Sequence, residues 1–277
     1  MNRVTHILIV LLIGSWLSGC ATSPTGRSQL MLVSPQSAIV QSEKAYASTM
    51  TQLQNEQQLV TDPKRLRRIE TITGRLISKA VEKYPNSQRW QWSVAVIDDP
   101  DTINAWCMAG GRMAIYTGII DQLALNDDEI AQIMGHEIAH ALANHSAERM
   151  SRAMVMQAGL IAAGAATEQD QLTLAGAALA AKLALELPNS RTAETEADRI
   201  GIELATLAGY RPEAAVSLWQ KMAKVGGGGT PEFLSTHPSP GNRAKTLGRL
   251  AERMRALNPN QTKAPMHPVK MVTSGNI

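Results

Sequence analysis

Cysteine is scarce in this chain. Only Cys20 and Cys107 occur among 277 residues, so no disulfide framework can brace the fold, and it must rest on a buried core. Aromatic residues are few and scattered, with five Trp, four Tyr and one Phe, which excludes a stacking platform for nucleic-acid bases. The formal net charge is only +3, and a value that small excludes the basic footprint of a nucleic-acid binder. Long apolar runs are missing too. His6–Ile13 falls well short of the roughly 20 residues that span a bilayer. The Ala-, Leu-, Gly- and Met-rich stretch 153–187 is broken at Thr167–Gln171 and is expected to form a helical hairpin packed on the core. Hydrophobic residues make up 44% of the chain, which suffices for the core of one large domain.

What the chain does have is His136-Glu137-Ile138-Ala139-His140. Residues four apart share one face of a helix, one turn from each other. Two neutral imidazoles so placed can grip one Zn²⁺, and a carboxylate beside the first is where a base for an attacking water is needed. The flanks read as helix. Asn126 is an N-cap with Glu129 at the third helical position, and Ile130, Ile133, Met134, Ile138 and Leu142 recur at helical spacing. Gly135 costs about 1 kcal/mol against Ala inside a helix, and its use is close approach of another element beside the metal. Downstream, Glu194 and Asp198 lie four apart on an expected helix. One can complete a His₂–carboxylate site while the other accepts a hydrogen bond from a ligating imidazole. Glu196 points elsewhere and reads as solvated or salt-bridged.

These residues resemble the HtpX-like and CAAX-prenyl-protease-type zinc metalloproteases, metallopeptidase family forty-eight of the gluzincin group. In that family an HExxH helix is followed by an ExxAD-type helix, here Glu194–Asp198. Asn104-Ala105, Gly110-Gly111 and Met113–Gly118 resemble the strand region before the metal helix. Ser235-Thr236-His237-Pro238 with Arg243 resembles the C-terminal motif, and Pro24-Thr25-Gly26-Arg27 resembles the start of mature lipoprotein members. The resemblance implies one zinc ion held by His136, His140 and Glu194, with Glu137 as base and Asp198 bracing a ligand. It also implies a place for His237 near the metal, steadying the oxyanion or capping the zinc in a resting form. The substrate implied is protein or peptide, with extended chains pairing to an edge strand, for which Met113, Ala114, Ile115 and Tyr116 are the candidates.

The N-terminus reads as a signal peptide over residues 1–19, with Arg3 and a short apolar segment. Leu17-Ser18-Gly19-Cys20 resembles a lipobox, which implies acylation of Cys20 and a membrane tether over residues 20–34. Removal of Arg3 would leave a charge of +2. Ala21 is not Asp, so the expected address is the outer membrane of a Gram-negative bacterium, facing the periplasm, with outer-membrane assembly factors as partners and misfolded or stalled envelope proteins as substrates. The alternative is a chaperone-like assembly factor with little proteolysis.

The fold class expected is α+β and mostly helical, a gluzincin-type core with a small sheet beside the HExxH helix, in a single domain over 35–255. Helices are expected over 35–58, from Pro63 through Val81, and from Pro212 through Met222. Strands are expected over Trp90–Ile97 and Arg112–Tyr116, with a turn or bulge at Gly110-Gly111. Cys107, in an apolar run, reads as a small buried hydrophobe. His145, nine residues past His136, reads as solvated on the far side of the helix. Gly226–Gly229 reads as a linker, and 256–277, with His267, as a flexible tail.

Overall fold

A computed structural model describes residues 20–166, 187–225, 232–237 and 242–276. The expected signal peptide, most of the second half of the 153–187 stretch and the Gly226–Gly229 run lie outside those residues. The elements in chain order are β1 (Cys20–Thr22), β2 (Ser28–Leu30), α1 (Pro35–Asn55), α2 (Pro63–Lys83), β3 (Ser93–Ile97), β4 (Ala105–Met108), β5 (Arg112–Tyr116), α3 (Thr117–Gln122), α4 (Asp127–Leu142), α5 (His145–Ala166), α6 (Leu187–Leu207), α7 (Ala214–Val225), α8 (Glu232–Thr236), α9 (Arg243–Met254) and β6 (Lys270–Val272). The chain is mostly helical with one four-stranded sheet, the fold class its sequence implies. Among the described residues no helix is long and apolar enough to cross a membrane.

The sheet runs β4-β5-β3-β6. β3 is parallel to β5 and β6, whereas β4 pairs antiparallel with β5. The β4–β5 turn uses Gly110 and Gly111 at φ +85° and +79°, a region that costs other residues. A Cβ on Gly111 would also lie 2.4 Å from the Trp92 ring. This order corrects the substrate-strand assignment. Met113, Ala114, Ile115 and Tyr116 lie in β5, whose two edges are both taken by β3 and β4. The outer strands are β4 and β6, and of the two it is β4 that packs against α4. A run of apolar residues does not say which of two hairpin strands is outermost; that depends on where β3 docks.

The tail is corrected as well. β6 pairs with β3, Ala264 and Val272 are buried, and the His267 N–H donates to the Gly74 carbonyl. Apolar side chains thus bring 264–272 back to the core despite the Pro-containing sequence. Residues 20–30, expected as part of a tether, form the β1–β2 pair.

α4 starts on a full capping box. Asn126 Oδ1 accepts from the Glu129 N–H, and Glu129 Oε2 accepts from the Asn126 N–H, both at 3.0 Å. Such a cap is worth about 1 kcal/mol. Ile130, Ile133, Met134 and Ile138 are fully buried, each contributing roughly 1.5–3 kcal/mol. α4 packs on α6 where two glycines meet. A Cβ on Gly135 would lie 2.9 Å from the Gly201 carbonyl oxygen, and one on Gly201 would lie 2.7 Å from the His136 backbone nitrogen. The close approach expected of Gly135 is therefore to Gly201. Gly201→Ala must separate the two helices that carry the candidate metal-binding side chains. We expect it to lower the melting temperature and weaken zinc binding at least about tenfold, by analogy with displaced supporting residues, as read by chelator competition. Wild-type zinc affinity in that variant would mean that the helix spacing is not critical.

Candidate metal centre

His136 and His140 project from one turn of α4 and meet Glu194 from α6. His140 Nε2 is 3.0 Å from His136 Nε2. Glu194 Oε2 is 3.2 Å from His136 Nε2 and Oε1 is 3.3 Å from His140 Nε2. His237, just past α8, adds Nδ1 at 3.3 Å from His136 Nε2 and 3.1 Å from Glu194 Oε1. Ligand atoms of all four residues lie within 4.8 Å of one another. Bonds of about 2.0–2.2 Å in a tetrahedron put neighbouring donors about 3.3–3.6 Å apart, so this set of nitrogens and carboxylate oxygens fits a zinc ion.

The outward ring nitrogens reinforce the fit. His136 Nδ1 is 3.1 Å from Asp198 Oδ1, so Nδ1 carries the hydrogen and Nε2 keeps its lone pair toward the other donors. Asp198 is held by Arg243, which donates from Nε at 2.9 Å and from Nη2 at 2.6 Å. Arg243 lies over the Trp219 ring at 3.7 Å, and its buried Nη1, without a hydrogen bond, is 3.4 Å from Glu194 Oε2. The family resemblance marked Arg243 without a role; the structure puts it behind two carboxylates at once.

Electrostatics follow from burial and these contacts. Burial alone would raise the Glu194 carboxyl, but the rings of His136, His140 and His237 against it pull it far below the usual range. Burial works against charging His136, yet Asp198 and Glu194 outweigh it and raise its pKa to about 9, a basicity that a cation at Nε2 would draw on in place of a second proton. His140 goes the other way, pushed well below its ordinary value by burial. Burial raises the Glu137 carboxyl. Glu137 Oε1 is buried without a hydrogen-bond partner, with His237 Nε2 3.4 Å away. Glu137, His140, Glu194 and His237 line a cleft of about 480 Å³ whose other wall includes Ala105 and Trp106 of β4.

The structure departs from the sequence reading at His145. His145 is not solvated: it is 4% exposed, and its Nδ1 is 2.8 Å from His140 Nδ1. Helical-wheel reasoning fails because α4 stops at Leu142 and Asn144, at φ +55°, turns the chain before α5 begins. Asn followed by a new helix start was the available signal. Glu196 is salt-bridged, as one of its two expected readings had it, but it is buried, facing His145 Nε2 at 3.1 Å and Arg27 Nε at 3.1 Å. Cys107 is buried as expected, and burial pushes its thiol well up.

Histidines from one helical turn, with a glutamate between them and a carboxylate lent by a neighbouring helix, are how many metallopeptidases hold a single cation. Here that construction opens into a cleft beside a free strand edge, which defines the class. The sequence profile of Peptidase family M48 matches residues 63–251. The chain belongs to that family, whose members are zinc metalloendopeptidases. The bovine protein named Metalloendopeptidase OMA1, mitochondrial, is 34% identical over 82% of this chain and 45% of its own length. Metalloprotease YcaL of Escherichia coli is 29% identical over 62% of this chain and 66% of its own length. The Beta-barrel assembly-enhancing protease of Yersinia pestis is 27% identical over 71% of this chain and 41% of its own length. The chain thus spans less than half of the bovine relative. These matches correct the localisation. A relative aligned over 82% of the chain is mitochondrial, so the lipobox-like Leu17–Cys20 does not establish a Gram-negative outer-membrane address.

Proposed function

We propose that this chain is a zinc-dependent endopeptidase that hydrolyses misfolded or stalled protein chains. The observation that carries the reading is the convergence of His136, His140 and Glu194 beside Glu137, a buried carboxylate oxygen without a partner. His136, His140 and Glu194 would hold the ion, with Asp198 bracing His136. Zinc in that position supplies Lewis acidity to the scissile carbonyl and its attacking water. Glu137 takes the proton from that water and hands it to the leaving amine; a carboxyl raised by burial suits both transfers. The free edge of β4, Ala105–Met108, binds the substrate backbone as an added strand, which gives affinity with little sequence preference. His237 Nδ1 stands among the ligand atoms, a position that favours its capping role, so substrate must displace it. The test is metal content together with casein digestion, with and without chelator. We expect about one zinc per chain and digestion that stops on chelation and returns with zinc. Digestion unaffected by chelator would overturn the proposal.

A second reading is a chaperone-like assembly factor with little proteolysis; the name of the Yersinia relative supports the assembly half alone, since it also calls that protein a protease. Rescue of a deletion strain by the Glu137→Gln variant as well as by wild type would select it. We further propose Cys20 as a lipid-bearing anchor. It opens β1, so acyl chains there would hold the cleft near a membrane surface. Cys20→Ala is expected to move the protein from the membrane to the soluble fraction with casein digestion unchanged, and continued membrane association would remove that role.

A further inference from the structure

The Thr25–Arg27 stretch and the pair His145 and Glu196 have no part in the function above, yet they meet behind the second ligating imidazole. Glu196 Oε1 accepts from Thr25 Oγ1 at 2.6 Å, and Oε2 accepts from Arg27 Nε at 3.1 Å. Arg27 is in turn gripped by Glu148, donating to both its oxygens from Nη1 at 2.8 Å and Nη2 at 2.7 Å. Glu196 Oε2 also faces His145 Nε2 at 3.1 Å. An ionised carboxylate only accepts hydrogen bonds, so His145 carries its hydrogen on Nε2. That leaves His145 Nδ1 as an acceptor. His140 Nδ1, 2.8 Å away, must then be the donor. With the hydrogen on Nδ1, His140 presents the lone pair of Nε2 to His136 and Glu194.

We propose that His145 and Glu196 are positioning residues for His140, and that Thr25 and Arg27 of the N-terminal strand pair hold Glu196 to that task. The arrangement repeats the one behind His136. There, Arg243 holds Asp198, and Asp198 accepts from the imidazole directly. Behind His140, Arg27 holds Glu196, and His145 carries the connection one residue further. The cluster is buried, with His145 and Glu196 side chains 4% and 3% exposed, so water does not supply a competing partner. Thr25 and Arg27, 171 and 169 positions from the Glu196 they hold, thereby set the orientation and tautomer of a ligand. Metal affinity is then linked to the docking of residues 20–30, and a chain whose N-terminal pair is displaced holds zinc more weakly.

This inference rests on His140 being a metal ligand. The test uses the full chain, with zinc alone as probe. Zinc affinity is measured by competition with a chromophoric chelator, and melting temperature is measured without metal. His145→Ala is expected to weaken binding about 10–100-fold, the usual effect of losing a partner of a ligand. His145→Asn, whose Oδ1 can accept where Nδ1 did, should recover most of that loss. Arg27→Gln and Glu196→Ala should each weaken binding about tenfold, and the double variant should be no weaker than Glu196→Ala. A purely structural staple predicts lower melting temperatures with wild-type zinc affinity, and that result overturns the proposal. So does an Asn variant as weak as the Ala variant, and so does full additivity of Arg27→Gln with Glu196→Ala. Should His145→Ala not fold, the Asn variant and the Arg27–Glu196 cycle still decide. Failure of wild type itself to take up zinc would instead overturn the functional reading beneath it.

Discussion

Glu137→Gln is expected to keep zinc at the wild-type level and to lower turnover at least ~10³-fold, within the range that a general base contributes. The two halves of that result have separate causes. Zinc stays because Glu137 is not among the converging ligand atoms, which come from His136, His140, Glu194 and His237. A glutamine of the same length leaves α4 packed as before. Turnover falls because an amide cannot accept the proton of the attacking water. Glu137 Oε1 is buried with no hydrogen bond and only a 3.4 Å contact to His237 Nε2, so little structural bonding is lost with the charge, and the Gln variant should melt close to wild type. Single-turnover peptide cleavage alongside zinc analysis reads both quantities. Undiminished cleavage in clean protein would strip Glu137 of its role, and loss of zinc would show that it helps to hold the ion.

Glu194→Gln should act at the other end of the site and abolish zinc uptake along with activity. Glu194 touches His136, His140 and His237 within 3.3 Å, and Arg243 Nη1 is 3.4 Å away. It is the only negative charge among the ligand atoms. Removing it takes away the charge that offsets burial of the cation. It also leaves the Arg243 guanidinium paired to Asp198 alone. The loss should exceed the ~10–100-fold seen when only a supporting partner is removed. Thermal unfolding reads this without an activity assay, because a ligand that binds only the folded state raises the melting temperature. Added zinc should stabilise wild type and Glu137→Gln and leave Glu194→Gln unmoved. Equal stabilisation of Glu194→Gln would mean that three histidines suffice, with Glu194 merely a neighbour.

Local features were legible in advance. The capping box at Asn126 and Glu129, the buried stripe from Ile130 to Ile138 and the His136–His140 pair depend on residues within a turn or two of one another. Helix geometry alone fixes their relation. Gly135 could be read as a contact point, although its partner Gly201 could not be named. The errors share a cause. His145 was assigned by extending α4 past its end. β5 was taken for the outer strand because order within a sheet is a long-range property. Residues 256–277 read as a tail because their few apolar residues carry no period.

The chain's own order of residues thus determined the chemistry: a helix turn presenting two imidazoles and a base, and a later turn presenting Glu194 and Asp198 on one face. Only the tertiary structure decided how those turns meet and what stands behind them. α4 and α6 cross where both lack a side chain, which lets Glu194 reach the imidazoles. Docking of β4 and α8 then delivers a free strand edge and His237 to the same cleft, and docking of the β1–β2 pair sets Arg27 behind His140 on Glu196. Such meetings between distant segments are set by packing of whole faces, and no spacing along the chain encodes them.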